Sequence, residues 1–260
     1  MAIITLTSDW GLKDHYLAAV KGAIYNQISD AIIVDISHQI PSFDLNQAAF
    51  IIRNFYKNFP PGTIHILGIN TEASIDNPHT VVFHDGHYFI GSDNGIFSLI
   101  FDEIPETIIE LDIIQDSDYF TFSTRDVFVK VACHLAKGKP LAELGRPKET
   151  VLSKMSFKPV IDGSLIKGKV IYVDSYENVF TNITESLFKS MTRGKKFVIQ
   201  FRSASYRINK ISRSYNDEVE GEMLALFSTS GNLEIAINRG KASSLLGLKI
   251  DQPVLIEILS

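Results

Sequence analysis

Residues 1–27 read MAIITLTSDWGLKDHYLAAVKGAIYNQ, and the order of residue types in this stretch decides the fold class. Ile3 to Thr7 is a β-rich apolar run that breaks into a polar turn, Thr7-Ser8-Asp9-Trp10-Gly11. From Tyr16 to Gln27 the apolar residues recur at helical spacing. A strand that runs into a polar turn and then a helix is the repeating unit of an α/β sheet. The same alternation continues downstream. Ala31 to Ile36 is a run of Ile and Val, Leu45 to Asn58 has helical spacing, and Thr63 to Ile69 is strand-like again. Val81 to Phe83 and Tyr88 to Ile90 flank Asp85-Gly86, a dipeptide suited to a hairpin turn. Val127 to Lys137 is helical and stops before Gly138. The expectation is an N-terminal α/β domain over residues 1–147, with a mostly parallel sheet covered on both faces.

Beyond that point the rhythm changes. Lys167 to Val173, Lys196 to Phe201, Tyr206 to Ile211, Met223 to Phe227, Leu233 to Ile237 and Val254 to Ile258 are short β-type runs separated by turn residues. Only Ser186 to Thr192 has the pattern of a short helix. Residues 167–260 therefore predict an all-β, barrel-like C-terminal domain. A linker over 148–166, which holds Pro159 and Gly163, joins the two.

The bulk numbers exclude some classes. Hydrophobic residues make up 45% of the 260, enough for a sizeable core, yet no apolar run is long enough to span a membrane. The opening residues read as a first strand and not as a secretory leader. Net charge is −5 and no long basic run occurs, which argues against nucleic acid as a partner. The single cysteine, Cys133, cannot form an internal disulfide and fits a cytoplasmic protein.

In an open parallel sheet, ligands bind beyond the carboxyl ends of the strands. That rule selects Asp9 with Asp14-His15-Tyr16, then Asp35-Ile36-Ser37-His38 with Phe43-Asp44, then Asn70-Thr71-Glu72, and Ser92-Asp93-Asn94. An ionised Asp at such an edge can accept two hydrogen bonds, as a ribose diol requires. The competing role for Asp9 and Asp44 is to cap the helices that follow. In the second half, Asp174-Ser175-Tyr176-Glu177-Asn178-Val179-Phe180-Thr181-Asn182 could read a heterocycle by stacking and hydrogen bonding, or simply be a polar strand-connecting turn. His38, His65, His79, His84 and His87 raise a dinuclear hydrolase, but no metal-ligand pair spacing occurs and no metal site is expected. His84 and His87 bracket the hairpin turn and read as exposed. Cys133 lies mid-helix, where a small apolar residue packs. No phosphate loop, dinucleotide fingerprint or nucleophile elbow is present.

Six segments in order resemble the SAM hydroxide adenosyltransferase family, which also contains fluorinase and chlorinase. They are TSDWGLKDHYLAAVKG, IVDISHQIPSFDLNQAAF, GSDNGIFSLI, TFSTRDVFVKVACHLAKGKPLAELG, DSYENVFTNI and STSGNLEIAINRGKASSLLGL. The resemblance implies an N-terminal α/β domain, a C-terminal barrel-like domain and a homotrimer that binds SAM between subunits. SAM would be the substrate, with no separate cofactor. Asp9 matches the carboxylate on the ribose hydroxyls, and Asp14, His15 and Tyr16 match the binding stretch that follows. Phe43 matches a fluorinase tryptophan beside the ligand. Asp174, Tyr176 and Asn178 match the residues that hold the methionine part and stack near adenine. Tyr215 loosely matches another aromatic on adenine. Thr229, Ser230, Asn238 and Arg239 match the adenine-edge region, although fluorinase has an arginine where Ser230 stands.

The hydrolytic members carry an Asp-Arg-His trio, and this chain has Asn70, Asn77 and Ser123 in those places. The fluorinase halide pocket is also changed, to Asn70, Ala73 and Thr124. An amide orients water but is no general base at neutral pH. The expectation is that Asn70, Ser123 and Thr124 position a water, or another small nucleophile, for attack at C5′ of SAM. Two alternatives stand beside it: a SAM- or adenosine-binding protein without turnover, and a metal-dependent hydrolase.

Overall fold

The structure, a computed structural model, describes residues 2–113, 115, 120–155 and 157–259. The chain divides into two compact units, Met1–Met155 and Ser156–Ser260.

The first unit runs β1 (Ile3–Ser8), α1 (Tyr16–Gln27), β2 (Ile32–Ser37), α2 (Leu45–Phe55), β3 (Ile64–Gly68), β4 (His79–His84), β5 (His87–Ser92), α3 (Ile96–Ile100) and β6 (Thr107–Leu111). A π-helical turn (Thr124–Phe128) then leads into α4 (Val129–Ala136), and β7 (Gly145–Pro147) follows. Its sheet has seven strands in the order β2-β1-β3-β5-β4-β6-β7. The expectation of a mostly parallel sheet needs correction. The β2-β1-β3-β5 side is parallel, whereas β4, β6 and β7 pair antiparallel. The reason is the Asp85-Gly86 hairpin. Asp85 and Gly86 take left-handed φ values of 50° and 79°, so β5 folds straight back on β4 and the sheet grows antiparallel from there.

Alternation along the strands builds both faces. Ile4 and Leu6, Ile64 and Ile66, Val81, Ile90 and Ile109 point into one core, with Val20 and Ile24 of α1 and Val131, Ala132 and Leu135 of α4. Leu67, Val82, Phe89 and Ile108 point into the other, with Ala48, Ala49 and Ile52 of α2 and Ile96 and Phe97 of α3. Thr5 and His65 occupy this second face and bond to each other at 2.7 Å. His87 corrects its sequence reading: it is 3% exposed, with its Nδ1 3.2 Å from His65 Nε2 and its ring against Tyr56. His84 is half-buried, 3.1 Å from Glu106 Oε2. Both histidines alternate with the apolar residues of their strands, and the packed aromatic rings around α2 cover them.

Residues 148–155 belong to the first unit. Lys148 Nζ and the Leu152 N–H both bond at 2.9 Å to the buried carboxylate of Asp93.

The second unit runs β8 (Val160–Asp162), β9 (Leu165–Val173), β10 (Val179–Thr184), α5 (Glu185–Thr192), β11 (Phe197–Phe201), β12 (Ser203–Ile208), β13 (Met223–Phe227), β14 (Asn232–Ile237), α6 (Ala242–Leu246) and β15 (Pro253–Ile258). These strands form one antiparallel sheet of eight, β12-β11-β15-β9-β10-β14-β13 with β8 beside β9. The Ser212 N–H donates to Ala225 O at 2.8 Å, which brings the chain leaving β12 onto β13 at the far end of the strand order. The sheet is thereby almost closed on itself. One core of Ile166, Val170, Ile183, Ile199, Ile235 and Ile256 fills it. Gly168 permits the coil, because a Cβ there would stand 2.5 Å from the Ile183 side chain.

Candidate active site

A cleft of about 410 Å³ opens at the carboxyl ends of the parallel strands of the first unit. Asp9 and Trp10, just after β1, form one wall; Ser42 and Phe43, before α2, form the next. Asn70, Thr71 and Glu72, after β3, face Phe120, Thr121 and Ser123, which precede the π-helical turn. The cleft thus sits where strand order places a ligand in such sheets.

Each wall has a local cause. The Asp9 carboxylate accepts the Phe43 N–H at 2.8 Å. Phe43 takes a left-handed φ of 66° and its ring is 70% exposed. Asp44 performs the capping role, accepting the Gln47 N–H at the start of α2 at 3.0 Å. Asp9 does not cap α1: the N-cap position is His15, and it has no side-chain cap bond. Behind Asp9, Ser8 Oγ bonds to His38 Nδ1 at 2.7 Å, and the Gly11 N–H donates to His38 O at 2.6 Å. The Trp10 ring stacks on His38 and meets Phe122 edge-on, and Tyr16 meets the same Phe122. Trp10 also lies over Gly68, where a Cβ would come within 2.4 Å of the indole.

The third wall is anchored from behind. Asn70 has a left-handed φ of 48°. The buried amide of Asn94 donates to Asn70 O at 2.9 Å and to Ile69 O at 3.3 Å. His79 Nε2 bonds to Thr71 O at 2.9 Å, and burial holds this imidazole below its usual range and so neutral, against the smaller effect of that bond. Asn77 closes the loop onto Ser74. Opposite, Ser123 is 5% exposed, and Thr124 behind it is fully buried with an Oγ that has no hydrogen-bond partner among the described residues.

Of the site residues read from the sequence, Asp9, Phe43, Asn70 and Ser123 share this cleft. Asp14, His15 and Tyr16 are exposed at the entry to α1, with the His15 and Tyr16 rings 4.5 Å apart. Thr71 and Glu72, which the strand-end rule selects, also line the cleft, and Trp10, Ser42, Phe120 and Thr121 line it without having been singled out as site residues. Their shared signal is position, since each lies within three residues of one that was.

In the second unit, Asp174, Tyr176 and Asn178 share one turn. The Asp174 carboxylate accepts the N–H groups of Tyr176 and Asn178 at 2.9 and 2.8 Å and the Asn178 amide at 3.2 Å. The carboxylate shapes the turn, and the Tyr176 ring is left 79% exposed. Tyr215 donates its hydroxyl to Glu234 at 2.8 Å. Burial pushes the Glu234 carboxyl up, against the Tyr215 hydrogen bond, and the Asp174 charge adds to the rise. Burial also raises the Tyr215 phenol, reinforced by Glu234. Thr229 is exposed in the β13–β14 turn, which Ser230 Oγ stabilises through Ser228 at 2.6 Å. Asn238 donates to Glu218 O, and Arg239 pairs with Glu220 at 3.2 Å.

Among the described residues, no group of three or more His, Cys, Asp or Glu side chains converges as metal ligands do. Cys133 is 1% exposed and burial raises its thiol, which suits packing and not nucleophilic attack. No helix of the described residues is long and apolar enough to cross a membrane.

Comparison with known proteins gives this geometry a context. Residues 4–145 match the family model for the SAM hydroxide adenosyltransferase N-terminal domain, and residues 168–255 match that for its C-terminal domain. The chain is 29% identical to an (R)-S-adenosyl-L-methionine hydrolase of Methanocaldococcus jannaschii, over 95% of this chain and 92% of that protein. It is 28% identical to a second protein of that name from Thermus thermophilus, over 98% and 99%. Among solved structures, an uncharacterized conserved protein from Thermotoga maritima superposes with a TM-score of 0.88 at 28% identity, covering 98% of this chain and 99% of that one.

Proposed function

The chain belongs to the SAM hydroxide adenosyltransferase family, and on that premise we propose that it hydrolyses SAM at C5′ to adenosine and L-methionine. One observation carries the reading. The cleft at the strand ends places a free-edged carboxylate, Asp9, beside small neutral groups at Asn70, Thr121 and Ser123. Asp9 holds the ribose hydroxyls. Asn70 and Ser123 line the place where the reacting atoms meet, and Thr124 supports the turn that carries Ser123. In the second unit, Asp174, Tyr176, Asn178 and Tyr215 hold the methionine and adenine portions, with Thr229, Ser230, Asn238 and Arg239 at the adenine edge.

The chemistry asks little of acid catalysis. A water oxygen attacks C5′, the C5′–S bond breaks, and its electron pair goes to sulfur, turning a sulfonium into a neutral thioether. Rate then comes from in-line placement and from stripping water off the nucleophile. No cofactor is required. The active form is a cytoplasmic homotrimer with sites at subunit interfaces. The 70% and 79% exposure of Phe43 and Tyr176 in the single chain favours a partner surface over them.

The test is incubation of purified protein with each sulfonium epimer of SAM in H₂¹⁸O, with products separated by chromatography. Adenosine carrying the label at its 5′-oxygen is expected. A second reading, binding without turnover, is favoured by the neutral residues at Asn70, Asn77 and Ser123. Calorimetric binding of SAM with no product would select it.

A further inference from the structure

Splitting water at C5′ releases one proton per turnover, and the neutral methionine does not take it. The cleft has to supply an acceptor or leave the nucleophile weak. Among the described residues, two acidic side chains line it, Asp9 and Glu72. Asp9 is assigned to the ribose hydroxyls, and its Oδ2 also accepts the Phe43 N–H at 2.8 Å. The amide of Asn70 and the hydroxyls of Thr121 and Ser123 are too weakly basic near neutral pH. Glu72 remains. It is exposed, so a captured proton has a way to solvent.

Its backbone is held in place as a catalytic group's must be. Asn94 clamps the carbonyls of Ile69 and Asn70 at 3.3 and 2.9 Å, and His79 clamps the carbonyl of Thr71, the preceding residue, at 2.9 Å. Three successive carbonyls ahead of Glu72 are thus fixed by side chains from β4 and the β5–α3 connection. That fixation places the root of the side chain on the Asn70 wall of the cleft.

We propose that the Glu72 carboxylate accepts the proton of the attacking water. The inference rests on the hydrolytic reading above. As the water oxygen bonds to C5′ and the C5′–S pair leaves with sulfur, the water proton passes to Glu72 and from there to bulk solvent.

The experiment follows SAM turnover by the full-length chain and its Glu72→Gln, Glu72→Asp and Glu72→Ala variants. Glu72→Gln is expected to lower kcat by about 10²- to 10⁴-fold, the usual worth of a general base. KM should change by less than about threefold, because the interaction removed exists in the transition state. Glu72→Asp should retain part of the rate, and added formate should restore part of it to Glu72→Ala. Wild-type turnover with an undiminished Glu72→Gln variant overturns the inference alone. A variant that raises KM at unchanged kcat does the same, by making Glu72 a binding group. A wild-type protein that binds SAM and forms no adenosine overturns both the inference and the hydrolytic reading.

Discussion

Asp9 and Asp44 have the same side chain, both stand between a strand and the helix that follows, and both could have been caps. Only one is. Asp44 takes the Gln47 N–H of its own helix, while Asp9 reaches across 34 positions to the Phe43 N–H and stays on the cleft. The sequence marks both as strand-end acids but does not separate these roles, because the separation depends on a contact between distant loops. Gly68 is a second case. Nothing in its neighbours along the chain demands glycine, yet the Trp10 ring occupies the space of a Cβ. Gly68→Ala should displace Trp10 and destabilise the first unit by about 1–3 kcal/mol. Trp10 is the only tryptophan, so its fluorescence reports the move directly. An unchanged emission maximum and melting temperature would refute the packing argument. Tyr215→Phe should leave the buried Glu234 carboxyl without its donor and destabilise the barrel by about 1–3 kcal/mol in urea. If Glu234 relaxes to solvent instead, the urea midpoint will not move.

At the level of elements, periodicity located most of the strands and helices. It missed β6, the helix α6 beside the one expected in the second half, and β10, whose residues sit where the sequence reads as a polar turn. β7, β8 and α3 are three to five residues long, too short to show a period. The helix expected from Val127 begins as a π-helical turn at Thr124–Phe128 and is α-helical only from Val129. β12 lies over Ser203–Ile208, ahead of the Tyr206 to Ile211 span expected from β propensity, because its edge pairing with β11 sets the register. The cap of α2 was legible as an acid before an apolar helix. Asp44→Ala is therefore expected to lower stability by about 1 kcal/mol, read as a lower urea midpoint in Trp10 fluorescence. No change would mean that packing of Ala48, Ala49 and Ile52 alone sets the start of α2.

For the whole molecule, the buried histidines govern the response to acid. Burial, reinforced by the neighbouring His87, pushes His65 down to about 3, and burial likewise lowers His87. Both are neutral in the folded chain, so the unfolded chain binds more protons between the ordinary histidine range near pH 6.5 and the depressed folded values. Stability should be level above that range and fall as the pH drops through it. His65 alone would account for on the order of 2 kcal/mol between pH 7 and pH 5. Urea unfolding followed by Trp10 at both pH values measures the loss, and His65→Gln should reduce the dependence. By itself the sequence determined the two-part organisation, the placement of strand-end polar residues and the family pattern, because alternation, helical spacing and motif order are all written along the chain. Only the tertiary structure decided that the first sheet is mixed, that Asp9 faces the cleft while Asp44 caps a helix, and that Ser123 lines the same cleft as Asn70. Those outcomes depend on hydrogen bonds and close packing between residues far apart in sequence, which no local pattern encodes.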